Sequence, residues 1–137
     1  NVYGEHQLTR GDYCCVLGIF EFQYKSYQPL TITGDGEQRR DFTYVGDIVD
    51  GLVRCGEGLL DGMLIDGVNG QSFELGNGEN YSINEVADAF GDYMREYIDE
   101  RPGEMKETLN TDNKAQEILG WKPKGDIIKF IRKTYFK

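Results

Sequence analysis

A single histidine, three cysteines and three prolines are spread over 137 residues. No apolar run approaches the roughly 18 residues that a membrane span requires. With His6 as the sole imidazole and no G-x-S-x-G elbow, a Ser-His-Asp arrangement has nothing to build on, and a zinc site would lack closely paired ligands. Cys14, Cys15 and Cys55 are odd in number and two are adjacent, which suits reduced thiols in a cytoplasmic protein better than a disulfide framework. Positive charge is also in deficit. Fifteen Lys+Arg against 24 Asp+Glu leave −9, which argues against a broad grip on nucleic acid or anionic lipid. No signal peptide opens the chain, and with Asn rather than Met at residue 1 its start reads as cut, processed or incomplete. Disorder is not expected. Counting glycine and leaving tyrosine out, about 45% of residues are apolar, an ordinary globular value.

What is abundant is glycine, 18 residues that punctuate the chain without a fixed period. Between them, the spacing of Val16, Phe20, Tyr24 and Tyr27 predicts a helix over residues 12–27, capped by Asp12 and ended by Pro29. Leu30-Thr31-Ile32-Thr33 reads as a strand closed by the Gly34-Asp35-Gly36 turn, and Phe42-Thr43-Tyr44-Val45 as a second extended run. Asp47 then looks like the N-cap of a helix carrying Ile48, Val49, Leu52, Val53, Leu59 and Leu60, weakened by Gly51 and Gly56. After a loop over 61–70, Ser72–Leu75 is a further expected strand. The clearest local signal is Ser82-Ile83-Asn84-Glu85, a capping box that opens an apolar stripe of Ile83, Val86, Ala87, Phe90, Met94 and Tyr97. A short helix over 113–119 should stop at Gly120, and Asp126 should cap a last helix bearing Ile127, Ile128 and Ile131. Helices alternating with short strands give an α/β class.

Charge is uneven along the chain. Residues 122–137 hold six Lys/Arg against Asp126, so the +5 there leaves −14 on the rest. The basic end reads as a solvated helix terminus favoured by the helix dipole. Gly76-x-Gly78 follows an expected strand and precedes a helix, but it lacks a third glycine and reads as a plain turn. Arg39-Arg40 directly after a glycine turn, and Arg101 before Pro102-Gly103-Glu104, stand out in this acidic background. Isolated arginines are usually solvated, yet their fork geometry suits bidentate capture of a diphosphate.

Six pieces, taken in order, resemble the C-terminal half of the nucleotide-sugar epimerase/dehydratase family of extended short-chain dehydrogenases. They are Asn1-Val2-Tyr3-Gly4, then Pro29–Ile32 running into Gly34-Asp35-Gly36-Glu37-Gln38-Arg39-Arg40-Asp41-Phe42-Thr43-Tyr44-Val45, then Phe73–Gly76, Tyr81–Glu85, Arg101–Glu104 and Leu119–Pro123. The nearest type is the UDP-glucose 4-epimerase-like enzymes, and the resemblance covers nearly all of residues 1–124. It implies that Asn1 contacts the substrate diphosphate, that Cys15 and Val16 start a helix approaching the nucleotide, and that Thr31 and Thr33 lie on the strand whose backbone meets the uracil. It makes Arg40 a diphosphate clamp, Arg101 a second phosphate-binding arginine, and Glu104 the acidic residue holding the ribose. Asp41 and Tyr44 are expected to support Arg40 and the turn. Glu5-His6 departs from the family's Pro-Arg and removes a positive charge near the phosphates.

The family's N-terminal half carries a G-x-x-G-x-x-G loop for NAD and a Tyr-x-x-x-Lys catalytic pair. None of the 18 glycines here starts that spacing, and none of the nine tyrosines has Lys four residues on. Residues 1–137 are therefore expected to form one substrate-binding domain, a small α/β subdomain with leftover strands of an incomplete Rossmann sheet. Strand edges at Val2-Tyr3 and Phe73–Leu75 would be unpaired. The complete enzyme would use NAD to oxidise the sugar C4 hydroxyl of a UDP-sugar, rotate the ketone and return hydride to its other face. Its homodimer would form through the other half, while this chain alone would bind no NAD, need no metal and be catalytically silent. A stand-alone nucleotide or glycan binding module, or the same half of a 4,6-dehydratase or decarboxylase, are the alternatives.

Overall fold

The computed structural model describes residues 1–60 and 67–136, so positions 61–66 of the expected 61–70 loop lie outside the described residues. Its centre is the strand β2 (Leu30–Thr33), formed where the alternation was read. Leu30 and Ile32 are fully buried. They belong to a core with Leu17 and Phe20 of helix α1 (Val16–Lys25), Val86 of helix α3 (Ile83–Asp88), and Ile127 and Ile131 of helix α5 (Ile127–Tyr135). Burying each such side chain contributes about 1.5–3 kcal/mol.

Helix α1 is shorter than its apolar spacing predicts. A turn at Gly11 (φ 97°) precedes it, and Cys15, not Asp12, is the N-cap. It also ends before Pro29: the Gln28 amide reaches back to the Gln23 carbonyl at 2.9 Å, with Tyr27 in the left-handed region at φ 57°. That is a Schellman-type stop, made by tyrosine where glycine is usual.

Strands β1 (Val2–Tyr3) and β4 (Thr43–Tyr44) pair in parallel, so the Val2-Tyr3 edge expected to be unpaired has a partner within the chain. Helix α2 (Val45–Leu59) then begins two residues before the expected cap, with Tyr44 at its N-cap. Asp47 is buried instead. Its carboxylate accepts from the amides of Lys124 (3.0 Å) and Gly125 (2.8 Å), and its carbonyl accepts from the Trp121 indole at 2.7 Å. Gly51 is the seat of this packing, since a Cβ there would stand 2.5 Å from a Leu75 methyl and 3.2 Å from the Trp121 ring nitrogen. Val49, Leu52, Val53 and Leu59 consequently face outward.

The strand expected over Ser72–Leu75 does not form. Phe73 and Leu75 pack instead against a second cluster of Val68, Ala115, Leu119 and Trp121, held by side chains without a ladder partner. The stripe after Ser82 is also divided. Helix α3 stops at Asp88, Gly91 takes φ 73°, and Met94 and Tyr97 belong to an extended segment whose strand β6 (Arg95–Ile98) runs parallel to β2. Strand β3 (Arg39–Asp41) pairs antiparallel with β5 (Asn80–Ser82), giving three two-stranded sheets among the described residues.

Unlike Asp12 and Asp47, the caps read at Ser82, Gly120 and Asp126 form as expected. Ser82 Oγ accepts from the Glu85 amide at 3.0 Å while Glu85 Oε2 accepts from the Ser82 amide at 2.7 Å. Ser82→Ala should lower stability by about 1 kcal/mol in urea unfolding, the usual size for a lost cap; an unchanged midpoint would remove the box from the account. Helix α4 (Lys114–Leu119) ends on Gly120 at φ 60°, and Asp126 caps α5 through the Lys129 amide at 3.0 Å. Partial burial works to raise the Asp126 pKa, but that bond and Lys129's charge prevail and lower it. Among the described residues, no helix is long and apolar enough to cross a membrane.

Candidate functional site

Strand alternation decides which of the paired arginines faces the site. Arg39 turns away: its guanidinium donates to the Asn80 side chain (2.8 Å) and carbonyl (2.9 Å) and pairs with Glu85 at 2.9 Å. Arg40 turns inward to a cleft of about 270 Å³. Asn1, Cys15, Val16, Thr31, Thr33, Arg40, Arg101 and Glu104, the eight residues expected to meet the substrate, all line this one cleft. Three structural devices assemble it: the pairing of β1 with β4, the start of α1, and the edge of β2.

Each side chain is held differently. Asn1 is anchored by its carbonyl, which accepts from the Thr43 amide at 3.1 Å. Arg40 donates to the Arg39 carbonyl at 2.8 Å and to Glu104 at 3.1 Å, with only 13% of its side chain exposed. Those contacts use two of a guanidinium's five N–H donors and leave the others for a ligand. Glu104 thus stands against Arg40, a contact the sequence did not announce. Arg101 is exposed and makes no ion pair among the described residues. The cleft therefore holds two guanidiniums against one carboxylate.

Helix α1 adds to this field. Cys15, exposed and extended at φ −76° and ψ 160°, gives the helix no side-chain cap, so its first-turn amides keep their partial positive charge toward the cleft. Cys14 is different: its thiol donates to the Leu8 carbonyl at 3.0 Å, and burial, with Cys15 and Glu21 nearby, pushes its pKa up.

Cys14, Ile19, Gln38, Ile83 and Ile98 complete the walls and were not assigned to the site in the sequence. For Gln38 the signal was present, because period-two alternation puts residue 38 on the same side as Arg40. Its amide donates to the Thr33 carbonyl at 3.0 Å.

Asp41 and Tyr44 do not line this cleft. Asp41 collects the amides of Asn77 (2.7 Å), Gly78 (2.9 Å) and Asn110 (3.0 Å), while the Tyr44 hydroxyl donates to Glu5 at 2.8 Å. Glu5's own backbone amide and that hydroxyl lower the Glu5 pKa. The Asp41 contacts also bear on NAD. The amides of Asn77 and Gly78, the nearest approach to a dinucleotide loop, are already given to a carboxylate, and α3 beyond them is only six residues long. That turn does not fit the pyrophosphate of the cofactor. Nor do the described residues gather three metal-ligating side chains at one point.

A locally cationic cleft beside the edge of β2 on an α/β frame is the feature these residues build. The chain belongs to the nucleotide-sugar epimerase/dehydratase family of extended short-chain dehydrogenases, whose GDP-mannose 4,6 dehydratase model matches residues 15–134. It is 32% identical over 139 residues to a UDP-glucose 4-epimerase of Mycolicibacterium smegmatis, covering 98% of this chain and 42% of that protein. It is 32% identical over 117 residues to UDP-glucuronic acid decarboxylase 4 of Arabidopsis thaliana, covering 80% of this chain and 24% of that one. The structure of Bacillus cereus UDP-glucuronic acid 4-epimerase, in complex with UDP-glucuronic acid and NAD, superimposes with a TM-score of 0.78 at 27% identity, over 98% of this chain and 44% of the other. The chain thus spans less than half the length of these relatives, and its mixed α/β fold with partial sheets matches their C-terminal portion.

Proposed function

We propose that the cleft holds the nucleoside diphosphate of a UDP-sugar, and that residues 1–137 are the substrate-binding domain of an NAD-dependent UDP-sugar 4-epimerase. The observation that carries this reading is the convergence of Arg40, Arg101 and the uncapped start of α1 on one cleft. In that reading Arg40 and Arg101 grip the phosphates, Asn1 contacts the diphosphate, and Cys15 and Val16 approach the nucleotide. The backbone at Thr31 and Thr33 meets the base, and Glu104 holds the ribose while steadying Arg40. NAD, with its hydride transfer at sugar C4, belongs to the half that these residues do not contain; the chain by itself binds no NAD and turns over nothing. The resemblance extends the proposal to a cytoplasmic enzyme that dimerises through that other half. A second reading, the same domain of a UDP-glucuronic acid decarboxylase, is favoured by the 32% identity to the Arabidopsis enzyme.

Cys15 supplies the test, because it is the exposed thiol in the cleft while Cys14 is bonded to Leu8 and Cys55 sits beside the second cluster. Millimolar UDP should slow alkylation of Cys15, read by peptide mass spectrometry, and uridine should protect far less. Contacts missing from the other half keep the expected affinity in the millimolar range. An alkylation rate unaffected by saturating UDP would overturn the reading.

A further inference from the structure

Strand β2 commits only one edge to its neighbour. The Leu30 amide donates to the Met94 carbonyl and the Gly34 amide to the Ile98 carbonyl, both at 2.9 Å. Alternation therefore turns the main-chain groups of Thr31 and Thr33 to the other edge. There α1 intervenes through Gln23. The Thr31 amide donates to Gln23 Oε1 at 3.1 Å, and Gln23 Nε2 donates to Thr31 Oγ1 at 2.8 Å.

The orientation of this clasp is not free. A backbone N–H can only donate, so the Gln23 carbonyl must face it and the Gln23 amino group must face the hydroxyl. The Thr31 hydroxyl is thereby made an acceptor toward α1, and its own proton has to go elsewhere. Among the described residues it has no acceptor, and Thr31 lines the cleft.

The neighbouring groups complete a pattern. The Thr33 carbonyl is already taken, by the Gln38 amide at 3.0 Å and the Gly36 amide at 3.3 Å. What β2 still offers on this edge is one acceptor, the Thr31 carbonyl, and two donors, the Thr33 amide and the Thr31 hydroxyl. The Watson–Crick edge of uracil is the complement: one N–H donor between two carbonyl acceptors. Cytosine presents an amino group and an unprotonated ring nitrogen in place of a carbonyl and the N–H, so two of its three groups meet their own kind.

We infer that Thr31, with its hydroxyl held as a donor by Gln23, is a specificity-determining residue that selects a keto pyrimidine over an amino pyrimidine. The inference rests on the reading that a nucleoside diphosphate occupies the cleft. Gln23 lies outside the cleft lining and acts through Thr31, which makes it a positioning residue.

The experiment is a ligand-observed NMR titration of the chain with UDP, CDP and inorganic pyrophosphate, on wild type and the variants Thr31→Val, Thr31→Ser and Gln23→Leu. Wild type should prefer UDP to CDP by roughly tenfold or more. Thr31→Val, which keeps the shape and removes the hydroxyl, should cut that preference about three- to tenfold, the worth of one neutral hydrogen bond, and leave pyrophosphate binding unchanged. Thr31→Ser should retain the preference, and Gln23→Leu should lose part of it. Equal affinity of wild type for UDP and CDP overturns the inference, and so does a UDP/CDP ratio that Thr31→Val leaves intact. Should Thr31→Val fail to fold, the wild-type ratio and its retention in Thr31→Ser decide the matter. Failure of wild type to bind either UDP or pyrophosphate overturns the nucleotide reading itself, which separates the two failures.

Discussion

Asp41→Ala should lower the stability of the chain by roughly 3–4 kcal/mol, the largest effect expected of any single substitution discussed. Asp41 is 8% exposed, and its carboxylate gathers the amides of Asn77, Gly78 and Asn110 and the Thr43 hydroxyl, from three separate stretches of chain. Truncation leaves those amides without an acceptor in a space too crowded for easy rearrangement. A Cβ at Gly76 would already lie 2.3 Å from the Asn110 side chain. Donors stranded by loss of a charged partner cost about 1–3 kcal/mol each, less whatever water recovers. Asp41→Asn should also be costly, because an amide cannot accept on both of its branches. Urea unfolding followed by circular dichroism measures both variants. A loss below about 1 kcal/mol for Asp41→Ala would mean that the turn at 76–78 is held by other contacts.

The second large effect concerns ligand. Arg40→Ala should weaken UDP binding by one to two orders of magnitude, from the 1.5–3 kcal/mol typical of a charge-assisted contact. Arg101→Ala should cost less, since an exposed, unpaired guanidinium is less rigidly held and more strongly screened. Added salt should weaken binding in wild type for the same reason. Arg54→Ala is the binding control. That arginine pairs with Asp50 and donates to the Leu119 carbonyl at 3.1 Å, far from the cleft in role though not without structural purpose. It should lower stability slightly and leave the UDP affinity alone. Titration of the three variants by calorimetry or NMR separates the cases: equal losses would reduce the arginines to their net charge and remove the clamp.

The parts legible in the sequence were those fixed by local chemistry. Ser82 and Glu85, Asp126, and Gly120 announce their helix ends because capping is settled within three or four residues. Leu30–Thr33 was legible because β-branched alternation and a glycine turn agree there. Distance defeated the rest. Asp47 has the position and type of an N-cap, but amides at Lys124 and Gly125, supplied by a segment far along the chain, draw it into the interior. The apolar period through Met94 and Tyr97 fits a helix, yet a left-handed Gly91 and a free edge on β2 convert it to strand. In the site, the resemblance named eight of the residues that line the cleft, while the Arg40–Glu104 contact and the Gln23 clasp depend on three-dimensional juxtaposition that no spacing encodes.

The way the strands find one another has a consequence for how the chain is made. Val2 aligns with Thr43, Leu30 with Arg95 and Arg39 with Ser82, so among the described residues no strand pairs across a tight hairpin turn with the next. Each pairing must close a loop of dozens of residues before any ladder bond repays the lost freedom. A nascent chain emerging from the ribosome can wind α1 early, but β2 waits for β6, whose partner residues lie 65 positions further along the chain. Until then Leu30 and Ile32 remain open to wrong partners, and the hazard of misassembly is concentrated in the interval between the synthesis of those two strands.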